Sequence, residues 1–77
     1  MLTYEEALKI AKERKPNINV CDEWQGGWVF GYSGDAGYKG GYGHSPVVIA
    51  KESGKIMTMM EFVMSGTAGE LVKSFDI

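Results

Sequence analysis

The chain has 77 residues, 44% of them hydrophobic and 23% charged, with a formal net charge of -2 and a pI near 5.2. That length allows one domain with a thin core, burying roughly 60% of the surface its unfolded form exposes, and the composition excludes the disordered class. With no basic stripe to displace counterions from a phosphate backbone, nucleic acid is not an expected partner. Cys21 is the only cysteine, so no internal disulfide can staple the domain, which predicts a reducing, cytoplasmic setting. The opening residues turn at once to Glu5 and Glu6 and lack the basic flank and apolar stretch of a signal peptide. No run approaches the ~18 apolar residues of a membrane span, so no membrane is expected either.

Thr3 with Glu6 forms a capping box that predicts a helix start. Tyr4, Ala7, Leu8 and Ala11 follow as an apolar stripe, and Glu5 and Lys9 are spaced as a favourable ion pair. Lys12, Arg14 and Lys15 suit the far end of the helix dipole. Pro16 ends the helix near Arg14 or Lys15. Ile18, Val20 and Trp24 mark one face of a first strand, and Gly26-Gly27 make a turn into Trp28-Val29-Phe30-Gly31-Tyr32, so the two runs are expected to pair as a hairpin. From Gly31 to Gly43, glycines at 31, 34, 37, 40, 41 and 43 give too much backbone freedom for an element interior and predict a long loop.

Pro46 stands where a strand can begin, Val47 to Ala50 supplies it, and Glu52-Ser53-Gly54 reads as the turn of a second hairpin. Ile56 to Val63 is apolar on both alternations, which predicts a strand covered on two faces. Met57, Met59, Met60 and Met64 suit either adaptable core filling or an interface, and because a single helix covers only one sheet face, part of this methionine strand is left for a homodimer or partner contact. Thr67 with Glu70 repeats the capping box ahead of Leu71, Val72 and Phe75, predicting a short C-terminal helix. The expected architecture is α+β: an N-terminal helix on a mainly antiparallel sheet of about four strands, then a short helix.

No catalytic cluster emerges from these residues. The glycine-rich segment lacks the lysine-bearing spacing of a phosphate loop and runs into a strand, and Gly37, Lys39 and Pro46 stand where a calcium loop needs oxygen ligands. His44 is the only histidine, so zinc and imidazole dyads are not expected, and Asp22 and Glu23 beside Cys21 disfavour its thiolate. Asp22 and Glu23 point to opposite faces of a strand and cannot converge on one atom. Trp24 and Trp28 are read as core. The same loop does carry Tyr32, Tyr38 and Tyr42 with Asp35, Lys39 and His44, a mixture suited either to covering a small core or to recognising another protein.

Three blocks resemble the immunity protein 35 family of bacterial polymorphic toxin systems. Thr3 to Ala11 is similar to its opening helix, Gly27-Trp28-Val29-Phe30-Gly31-Tyr32 to its central Gly-Trp-Val-Phe strand, and Gly43-His44-Ser45-Pro46 through Lys51 with Gly54 to its Gly-Asn-x-Pro, strand and turn-glycine pattern. Gly66 and the expected helix from Glu70 to Phe75 fit its ending. His44 stands in place of the usual asparagine and Ala50 in place of an acidic residue. The resemblance implies a non-catalytic, cofactor-free protein that binds and neutralises a co-encoded toxin domain. In that reading Tyr38 and Tyr42 are the apolar anchors, and Asp35 and His44 set polar register at the rim. The alternative expectation is a small structural or accessory domain, homodimeric through the methionine strand.

Overall fold

The computed structural model describes residues 2–33 and 46–77. The elements run α1 (Tyr4–Arg14), β1 (Val20–Trp24), β2 (Gly27–Gly31), β3 (Val47–Ala50), β4 (Ile56–Met57), α2 (Met59–Met64) and β5 (Leu71–Asp76). The α+β architecture is as expected, with five strands rather than about four. All pairings are antiparallel, in the order β4-β3-β2-β1-β5.

The Thr3 hydroxyl accepts the Glu6 amide at 3.2 Å and the Glu6 carboxylate accepts the Thr3 amide at 3.1 Å, so α1 starts at the capping box read from the sequence. The helix ends at Arg14, ahead of Pro16. β1 and β2 form the expected hairpin across Gln25-Gly26, with Cys21 opposite Phe30 and Glu23 opposite Trp28.

Because side chains alternate along each strand, the sheet has two apolar faces. On one face Cys21, Trp28, Phe30, Val47 and Ile49 pack beneath Ala7 and Ala11 of α1, and Tyr4 places its ring 6.1 Å from Phe30 and 5.5 Å from Phe75. On the other face Val29 and Val48 meet Phe62 of α2, with Ala68, Trp24, Met57 and Met59 around them. Gly27 makes this second contact close: an added Cβ would stand 3.0 Å from the Phe62 ring and 2.6 Å from the Ile49 carbonyl oxygen. The expectation of a single covering helix is therefore corrected; two helices sandwich the sheet.

Two further expectations change. The predicted strand from Ile56 to Val63 is a two-residue strand followed by a helix, because Thr58 and Glu61 make a capping box of their own. The predicted C-terminal helix is β5, which pairs along β1 from Val20 opposite Asp76 to Trp24 opposite Leu71, with a bulge near Trp24. Gly66 and Gly69 take positive φ values of 77° and 69° and steer the chain from α2 into that pairing. Gln25 then holds Glu70 at both ends: its amide donates to the Glu70 carbonyl at 3.0 Å, and its side-chain oxygen accepts the Glu70 amide at 3.0 Å.

Candidate functional site

The residues expected to contact a partner, Asp35, Tyr38, Tyr42 and His44, lie outside the described residues. The last described residue before that segment is Ser33, whose amide donates to the Asn19 side-chain oxygen at 2.8 Å while the Asn19 amide group donates to the Ser33 hydroxyl at 3.0 Å. Tyr32, beside it, is exposed.

Cys21 sits in the α1-side cluster with no exposed surface. Burial, reinforced by the charges of Asp22 and Glu23, pushes its thiol up to about 12. The sequence identified the two acids; the larger cause, desolvation, becomes visible once α1 covers the strand. A thiol so placed is protonated at neutral pH and has no path to a substrate. Asp22 and Glu23 diverge as expected. Glu23 accepts the Lys51 ammonium at 2.7 Å, and Lys51 also lies 5.2 Å over the Trp28 ring. Trp28 is buried as expected, whereas Trp24 is only partly buried, edge-on to Phe62 at 6.3 Å. Among the described residues no three His, Cys, Asp or Glu side chains group as metal ligands.

At the turn end of the sheet lies an open groove of about 660 Å³, bordered by Gln25, Lys51, Ser65 and Thr67 among others. Its polar groups are engaged with one another: the Gly26 amide donates to Ala68, the Glu70 amide to Gln25, and the hydroxyls of Ser65 and Thr67 lie 2.7 Å apart. The groove offers a ligand few uncommitted donors.

The most exposed large apolar side chains among the described residues lie on α2. Glu61 donates its amide to the Thr58 hydroxyl at 3.1 Å and accepts the Thr58 amide at 3.1 Å, contacts that hold its carboxyl below the usual carboxylate range. The Ser65 hydroxyl donates to the Phe62 carbonyl at 2.8 Å at the other end. Between these caps Met59 and Phe62 face the sheet. Met60, Val63 and Met64, spaced i, i+3, i+4, form the opposite stripe and are 72%, 57% and 79% exposed. Apart from Glu61 the helix is apolar on both sides, so it leaves an apolar stripe facing water. Unbranched, polarizable methionine side chains suit a surface that must adapt to another protein. Reading Ile56 to Val63 as a strand hid this face; the signal that reveals it is Thr58 followed three residues later by Glu61, the device that starts α1.

Comparison of the chain with protein-family models, with curated proteins and with solved structures finds no match in any of the three.

Proposed function

We propose that the protein is a non-catalytic binding protein that neutralises a cognate bacterial toxin domain by direct contact in the cytoplasm. The observation that carries the reading is the water-facing stripe Met60, Val63 and Met64 on α2. Support also comes from where the three resembling blocks fall: Thr3 to Ala11 caps and begins α1, Gly27 to Gly31 forms β2, and Val47 to Ala50 forms β3. These three elements share one buried cluster. The resemblance therefore lies in the scaffold, and α2 is carried on the face opposite to α1. In this reading the methionines are the apolar anchors, joined by Tyr38 and Tyr42 of the long segment between β2 and β3, with Asp35 and His44 at the rim.

The test is co-expression with the toxin domain encoded beside this chain, scored by growth, together with calorimetric titration of the purified pair. The expected result is protection and a one-to-one complex. The double variant Met60→Glu with Met64→Glu is expected to weaken binding by at least about 30-fold, as loss of an interface anchor does. Its melting temperature should stay close to that of the parent. Tyr38→Ala with Tyr42→Ala reports separately on the long segment. Absence of both protection and a complex for the parent protein would overturn the reading.

A further inference from the structure

The second unsatisfied surface is an edge. β5 borders only β1, and among the described residues nothing pairs with its outer side. The Ile77 amide donates to the Asn19 carbonyl at 2.9 Å, which turns the main-chain N–H of Ile77 toward β1. Stepping by two along the register, Phe75 opposite Cys21 and Lys73 opposite Glu23 point the same way. Ser74 and Asp76 therefore direct their N–H and C=O groups to the open side.

Edges of this kind are usually blunted by proline, by a projecting lysine, by a bulge or by shortness. The opposite edge, β4, is two residues long and offers little to pair with. β5 has six residues and no proline, and its bulge is confined to the end near Trp24. Its one lysine is drawn back over the sheet, with Lys73 Nζ 3.9 Å from Glu23 and 5.3 Å over the Phe75 ring. Leu71, Val72 and Ile77 are 50%, 55% and 40% exposed.

We propose that β5 pairs antiparallel with β5 of a second copy of this chain, joining two five-stranded sheets into one about a two-fold axis through Ser74. An axis normal to the sheet matches residues that lie on the same face, so it passes through one residue, and moving it by one residue shifts the pairing by two. An axis through Lys73 sets two lysines against each other and Glu70 against Asp76. An axis through Phe75 sets Lys73 against Ile77, where its ammonium has no ring to lie over. Through Ser74, no like charges oppose: Lys73 faces Phe75 of the second copy, repeating the cation-on-ring contact it makes within its own chain, and Leu71 falls beside Ile77. Charge and apolar matching thus select a second copy, and one register of it. The pairing does not use the methionine stripe of α2.

The test is oxidative cross-linking of Ser74→Cys and of Lys73→Cys in the full chain, with sedimentation of the parent protein over a concentration series. On the axis, paired Cα atoms lie about 5.5 Å apart, within the range a disulfide spans. Ser74→Cys is expected to form a covalent dimer at least about tenfold faster than Lys73→Cys, whose copies sit on a diagonal. Cys21, being enclosed, should contribute no background. The parent is expected to show a reversible, concentration-dependent dimer that Met60→Glu with Met64→Glu leaves intact. Faster cross-linking through Lys73 would overturn the register, and a parent monomeric throughout the series, or a dimer abolished by the methionine variants, would overturn the proposal.

Discussion

The two helices use the same device and end in different situations. α1 and α2 both begin at a threonine and glutamate capping box, and both press small or aromatic residues onto the sheet. Outward, α1 shows Glu5, Lys9, Lys12 and Glu13, so water completes it. α2 shows Met60, Val63 and Met64, apolar side chains that face water. Local capping chemistry decides that a helix forms; the chemistry of its outer face decides whether it needs company.

The sharpest way to break the comparison is to empty each inner face. Phe30 and Phe62 are both wholly buried, one beneath α1 and one within α2. Truncation of a buried phenylalanine costs about 3–5 kcal/mol through lost transfer energy and the cavity left behind. Phe30→Ala is expected at the upper end, because Phe30 sits mid-sheet against the ring of Tyr4, and should unfold much of the population in a domain of this size. Phe62→Ala is expected nearer the lower end, since a six-residue helix is what it anchors. Urea denaturation followed by tryptophan fluorescence measures both. Equal losses would show that the smaller cluster matters as much as the larger.

The next effect concerns the α1 side alone. With Cys21 at about 12 in the folded chain and near 9 when exposed, the folded state holds the thiol proton more tightly. Its contribution to stability is therefore complete below about pH 9 and is lost as pH rises toward 12. The urea midpoint should fall across that window, and Cys21→Ala, less stable at neutral pH, should fall less steeply. Parallel slopes for the two proteins would remove Cys21 as the cause.

A smaller effect belongs to the cap of α2. Thr58→Ala is expected to cost about 1 kcal/mol, the usual worth of an N-cap side chain. Its partner Glu61 has a lowered pKa, so the box stabilises above the usual carboxylate range and weakens as pH falls through the lowered value. The gap between parent and variant should narrow in acid. Helical circular dichroism and urea midpoints at neutral pH and at pH 3 would measure it.

The two correctly functioning boxes and a third that does not function mark the limit of what a local reading contains. Thr3 and Glu6 are followed by an apolar stripe of helical period and a closing Pro16, so every neighbouring signal agrees, and α1 and the β1–β2 hairpin were legible. Thr67 and Glu70 have the same spacing, but glycines at 66 and 69 flank the segment and Leu71, Val72 and Phe75 suit a strand. The open edge of β1 and the two hydrogen bonds between Gln25 and Glu70 then decide for a strand. That edge is a tertiary fact with no local trace. Ile56 to Val63 misled in the opposite direction: an apolar run this short satisfies either period, and only the cap at Thr58 separates them. The methionine stripe was legible as an excess of apolar residues; that its water-facing side is Met60, Val63 and Met64 required knowing which turn of α2 meets Gly27.

The smallest expected effect on stability carries the most about function. Met60 and Met64 lose little exposure on folding, so replacing both with glutamate should change the unfolding free energy read from urea denaturation by no more than about 0.5 kcal/mol. The same change at the inner residue Met59, which packs with Phe62 and Val48, should cost several times more, because a charge would be forced against the sheet. If Met60 and Met64 prove as sensitive as Met59 in the isolated protein, their outer face is already covered by the protein's own chain, and the asymmetry between the two helices disappears. If they prove silent alone yet necessary in a complex, the cost of exposing them to water is one that only the complex relieves, and α2 is distinguished from α1 by recognition.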